Sequence, residues 1–162
     1  MTVSAHVFPN IQQLAATKAV HLDTDASFVL LITTGTFNFV AATEAYTTVA
    51  QFLANTGSGG GGAVTETSGG SYARQALSSI TLATSALVTT MGCANPSWAA
   101  STITAKYALF YTCGSGGSGA SANDATSNLL MAYWDFGASP ASSAGAFTLT
   151  VSGSGLITWT AT

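Results

Sequence analysis

Residues 97–111, SWAASTITAKYALFY, decide the fold. Ile103, Ala105, Tyr107 and Leu109 occupy alternate positions, with Thr102, Thr104, Lys106 and Ala108 between them. Successive side chains of a strand point to opposite faces, so this period of two predicts a half-buried β-strand. Working outward, 28–34 (FVLLITT) and 129–136 (LLMAYWDF) are short apolar runs that predict further strands. Others are predicted at 72–77, 80–87, 146–151 and 156–160, the last two joined through SGSG as a tight hairpin. Residues 137–145, which contain Pro140, predict a turn, and 55–62 and 113–128 read as Gly/Ser loops. Residues 43–54 fit either a short helix or an irregular loop, since Tyr46, Val49, Phe52 and Leu53 follow helical spacing.

About seven or eight short strands with barely any helix predict an all-β fold, an antiparallel β-sandwich of jelly-roll type. Its aromatic residues, among them Phe28, Tyr107, Phe110, Tyr133, Trp134, Phe136, Phe147 and Trp159, lie in strand candidates and supply the bulk of a core. One stretch, 8–20 (FPNIQQLAATKAV), reads as a helix: Pro9 and Asn10 are start signals, and Ile11, Leu14 and Ala15 share a face. The layout is therefore an N-terminal arm or short helix over 1–20, followed by one β-sandwich domain over 21–162. Phe8, Ile11 and Leu14 are the candidates for an arm that contacts a neighbouring subunit.

Composition sets the chemistry. Of 162 residues, 29 are Ala, 25 Thr, 19 Ser and 17 Gly, and only 6% are charged, where an average globular chain carries about 25%. Three basic residues, Lys18, Arg74 and Lys106, cannot neutralise a run of phosphates, which argues against a nucleic-acid partner. A net charge of −3 offers nothing to an anionic membrane, and no apolar run approaches a membrane span. The stretch MTVSAHVFPN lacks the basic and apolar regions of a signal peptide. With 48% hydrophobic residues the chain is too apolar for disorder. A surface of Ser, Thr, Ala and Gly suits a protein packed against partners.

Motifs for catalysis are missing from the sequence. It contains no GxSxG, HExxH or GxxxxGK[ST], and GSGGGG at 57–62 lacks the Lys-Ser/Thr of a phosphate loop. Both histidines, His6 and His21, fall in the first 21 residues. The expectation is that the chain is not an enzyme and takes no metal or other cofactor. Asp23 and Asp25 could approach a cation together, or cap turn N–H groups. Cys93 and Cys113 read either as a disulfide or as two buried thiols. Arg74, the sole arginine, predicts either a bidentate structural ion pair, with Asp135 as partner, or a contact to another subunit. Trp98 and Trp134 read as core residues or, if exposed, as platforms for a sugar.

Five blocks in order, LDTDASFVLLIT (22–33), GGSYARQAL (69–77), WAASTITAKYALFY (98–111), LLMAYWDFG (129–137) and SSAGAFTLTVSGSGLITWT (142–160), resemble a widespread family of small tailed-bacteriophage virion proteins. This chain departs from that family in its neutral surface, its glycine-rich insertions at 57–62 and 114–119, and its N-terminal segment. The resemblance implies a structural role in the virion. The leading expectation is a capsid decoration (cement) protein that bridges major capsid protein subunits, as a homo-oligomer such as a trimer. A tail, neck or fibre component is the alternative.

Overall fold

The computed structural model describes residues 3–56, 61–114 and 126–160. Most of the predicted loop at 113–128, part of the one at 55–62, and Asp124 lie outside the described residues. What is described is mostly β, with several antiparallel sheets and three short helices, in a sandwich-like all-β arrangement. The elements are β1 (Ser4–Val7), α1 (Asn10–Ala16), β2 (Ser27–Thr34), α2 (Ala41–Glu44), α3 (Val49–Ala54), β3 (Thr65–Glu66), β4 (Gln75–Ala76), β5 (Thr81–Ser85), β6 (Val88–Gly92), β7 (Ser97–Thr104), β8 (Tyr107–Thr112), β9 (Leu129–Asp135), β10 (Ala141–Thr148) and β11 (Ile157–Thr160).

A six-stranded sheet forms the middle, in the order β1-β9-β8-β2-β3, with β4 pairing the same strand, β2, that β3 pairs. Both its faces are covered, which is why its strands read as continuous apolar runs. Val29, Leu31, Ala108, Phe110, Ala132 and Trp134 point into one core, and Leu30, Ile32, Tyr107, Leu109, Leu130 and Tyr133 into the other. A bulge in β9 reconciles the two. Phe110 pairs with Ala132 but Tyr111 pairs with Leu130, so Met131 is the extra residue. Met131 and Ala132 consequently face the same core, and the alternation resumes one residue out of step.

The second core is capped by α2, α3 and the segment before them, through Phe37, Tyr46, Val49 and Phe52. Helix is thus the outcome for the ambiguous stretch at 43–54. Thr48 and Gln51 form a reciprocal capping box at the start of α3. Asn55, in the left-handed conformation (φ 48°), ends α3 and donates through Nδ2 to Thr36 O and Gly62 O.

The first core is closed by α1 and two small sheets, β10-β7 and β11-β6-β5. Here the expected strands are corrected. Residues 97–111 form two strands, not one: Ala105 N–H still bonds Pro140 O on the β10 side, whereas Lys106 N–H bonds Ile32 O on the β2 side. The chain changes sheets between consecutive residues, so Ile103 and Ala105 face one core and Tyr107 and Leu109 the other. Strand β10 begins at Ala141, inside the predicted turn, and pairs β7 with two register shifts. The predicted hairpin through SGSG does not form, because β11 pairs β6. Gly155 serves a different purpose there. A Cβ on it would stand 2.3 Å from Thr90 Cγ2 and 2.6 Å from Met91 O, so only glycine permits the approach of this loop to β6. The hairpin that does form joins β5 to β6, with Ser85 opposite Val88 and the two residues Ala86 and Leu87 as its turn.

Candidate contact surface

Each residue singled out from the sequence has a definite place. The N-terminal segment is not an arm. Strand β1 pairs β9 along its length, and Phe8 N–H continues the ladder to Met131 O at 2.9 Å. Phe8 and Ile11 are fully buried in this chain's own cores, and Leu14, half-buried, packs against the core that holds Ile11. Of the three apolar side chains that looked available to a neighbour, Phe8 and Ile11 are consumed within the fold and Leu14 is half-buried.

Arg74 does form a bidentate ion pair, but with Glu66 rather than Asp135. Arg74 Nε donates to Glu66 Oε1 at 2.9 Å and Nη2 to Oε2 at 2.7 Å. The reason is topological. The guanidinium sits 5.7 Å over the ring of Tyr111 near the end of β8, whereas Asp135 pairs with Tyr107 at its beginning. Four residues of strand separate those two positions by about 13 Å. Asp135 instead accepts the Gly137 N–H at 2.8 Å.

Glu66 Oε1 also accepts from the Tyr72 hydroxyl at 3.0 Å, which itself accepts Leu31 N–H at 2.9 Å. Burial pushes the Tyr72 phenol well above its ordinary range and the Tyr111 phenol up to about 12, while the hydrogen bond that Arg74 donates to Glu66 strengthens the arginine's hold on its proton. This network clamps β3 and the approach to β4 onto one edge of the central sheet.

The other candidates are also accounted for. Asp25 Oδ2 accepts His21 N–H at 2.6 Å, the turn-capping arrangement, and among the described residues no group of three potential metal ligands gathers. Cys93 and Cys113 are thiols and not a disulfide, and burial raises the pKa of Cys93. Trp98 is 1% exposed and donates through Nε1 to Ala73 O, and Trp134 is 8% exposed, so neither offers a ring face to a sugar. Lys106 Nζ donates to Gly35 O and lies 5.2 Å over the Tyr107 ring.

What sequence reasoning missed lies in the two small sheets. From 75 to 105, and again from 136 to 162, the chain has no Asp, Glu, Lys, Arg or His. The first segment supplies β5, β6 and β7 and the second β10 and β11, so every strand of the outer β layer is uncharged. All five residues of β5 are exposed. Leu82 and Leu87 stand 44% and 66% exposed, the two most exposed large apolar side chains among the described residues. Both line a groove of about 490 Å³ with Gln12, Ala15, Leu22, Thr89 and Trp159. Leu82 stands in register with Met91 and Ile157, both buried, so the groove is an open continuation of the core. Trp159 Nε1, shielded from solvent, meets no acceptor there among the described residues. The signal was present in the sequence as two long uncharged segments.

The geometry defines a sandwich-like all-β protein whose distinctive surface is neutral, partly apolar and borne on one layer. Comparison with protein-family models, curated proteins and solved structures finds no match for this chain.

Proposed function

We propose that this chain is an adhesion module of a tailed-bacteriophage virion, a capsid decoration protein that bridges neighbouring major capsid protein subunits through its uncharged outer β layer. The observation that carries the reading is the segregation of charge: β5, β6, β7, β10 and β11 hold none. The resemblance of the five sequence blocks to virion proteins supports the same reading. Charges at the core of a protein interface must be desolvated, and interface cores are depleted of them. A surface without charges therefore docks without that cost. Apolar area removed from water contributes about 25 cal/mol per Å², and small contacts repeated over a symmetric lattice add by avidity.

The contact surface centres on this layer, with Gln12 and Ala15 of α1 at its groove, while Phe8 and Ile11 are buried within the fold. Quantitative mass spectrometry of purified virions against the major capsid protein tests the reading. A copy number comparable with that of the capsid subunits is expected. A few copies per particle would overturn it in favour of a tail, neck or fibre component.

A further inference from the structure

We infer that β5 is a self-association edge, at which a second copy of this chain adds antiparallel across a two-fold axis and makes one six-stranded sheet from the two β11-β6-β5 sheets. The inference concerns the chain alone and holds whether or not it belongs to a virion.

Two independent observations meet on this strand. The first is hydrogen bonding. Strand β5 is the end of its sheet, paired on one side by β6, and among the described residues no strand covers its other side. Sheet edges are ordinarily protected by lysine, proline, a bulge or a covering element. The sequence TLATS has neither lysine nor proline, and its pairing to β6 runs without a register shift.

The second is the side-chain row. Thr84 and Thr89 hydroxyls lie 3.2 Å apart, which places the even-numbered side chains of β5 on the face that carries Thr89 and Met91. Antiparallel pairing about Ala83 sets Leu82 of one copy opposite Thr84 of the other, on that same face. The row Trp159–Thr89–Thr84 then continues into Leu82–Met91–Ile157 of the second copy. Each groove is extended by the other copy's Leu82, and each open end of the core is closed.

A second copy fits better than an unrelated strand because the surface is complementary to itself. No residue from 75 to 105 is charged, so no like charges meet across the axis. Pairing about Ala83 uses the same strand on both copies, an isologous contact that closes at two subunits. A standard interface takes about 800 Å² from each partner, roughly a tenth of this chain's 7625 Å² surface; the β5 edge, Leu87 and the groove are the parts that would supply it.

The test uses charge placed on the axis. Ala83 is exposed and would face its own copy, so Ala83→Lys sets two lysines opposite one another, and Ala83→Glu two glutamates. Sedimentation velocity of the full chain over a concentration series is expected to give a dimer. Each variant is expected to weaken association at least tenfold, with an unchanged circular dichroism spectrum. An equimolar mixture of the two variants is expected to restore the dimer, which a folding defect would not allow. Ala146→Lys, an exposed position on β10, is expected to associate like the unmodified chain. A chain that stays monomeric throughout, a trimer, variants that associate normally, or a mixture that stays monomeric would each overturn the inference.

Discussion

The central sheet and the β11-β6-β5 sheet are both antiparallel and both carry apolar rows, yet their surroundings are opposite. In β8 all six residues are buried, while in β5 all five are exposed. The central sheet also has its edge fastened, by β1 on one side and by the Glu66–Arg74–Tyr72 network on the other. The small sheet has an open edge and an apolar row that runs past the end of the core. Burial on both faces makes the first region the source of stability. The second buries Met91 and Ile157 but leaves Leu82 and Leu87 exposed, so these two side chains are available for association.

The comparison can be broken most forcefully in the core. Phe110→Ala should lower unfolding free energy by about 4 kcal/mol, since it opens a cavity in a fully buried strand. Leu87→Ala should change it by less than about 0.5 kcal/mol. Urea denaturation of monomeric protein reads both, and equal losses would erase the distinction between the regions. Next, Glu66→Ala should cost about 2 kcal/mol by leaving Arg74 and the Tyr72 hydroxyl without their acceptor. Adding Arg74→Met should recover part of that loss, because the stranded charge is gone. No recovery in the double variant would mean the ion pair does not hold this edge.

Titration sharpens the contrast, since the buried phenols lie in the central region. Tyr72, Tyr111 and Tyr133 all resist ionisation because burial disfavours the phenolate, Tyr111 up to about 12. A phenol whose pKa is raised by folding stabilises the fold fully below its unfolded value near 10 and loses that contribution as pH rises toward the folded value. Thermal melts should therefore be flat in this respect below pH 9 and fall steeply above pH 10, with Tyr111→Phe reducing the slope. A stabilising effect is expected at the β5–β6 turn. Ala86 sits at φ 52°, a conformation glycine adopts without strain, so Ala86→Gly should add about 1 kcal/mol.

Much of the fold was legible because burial on two faces leaves an unmistakable trace. FVLLITT and LLMAYWDF could hardly be anything but inner strands, and the helix after Pro9 carried its own start signal. Corners left no such trace. Apolar alternation continues through Ala105 and Tyr107 although the chain changes sheets between them, so periodicity alone joined two strands into one. The SGSG segment looked like a hairpin because glycine marks both tight turns and close approaches, and Gly155 serves the latter. The capping box at Thr48 and Gln51 was written in the sequence and would have resolved the ambiguous stretch into helix.

The candidate surface was harder. Arg74 was correctly read as one half of a bidentate pair, but six carboxylates competed for the other half and only topology selects Glu66. Phe8 and Ile11 looked like an arm's contacts because their partner strand, β9, lies more than 110 residues away. Leu82 and Leu87 looked like ordinary strand residues. Their exposure depends on where the core ends, which no local pattern records.

The most direct test of the account is a cryo-electron microscopy map of the virion at side-chain resolution. The account predicts this chain across the capsid shell, with β5, β6, β7, β10 and β11 turned toward neighbouring subunits and α2 and α3 turned away. A chain seated through its helical flank, with the uncharged strands facing solvent, or one found only on the tail, would contradict it.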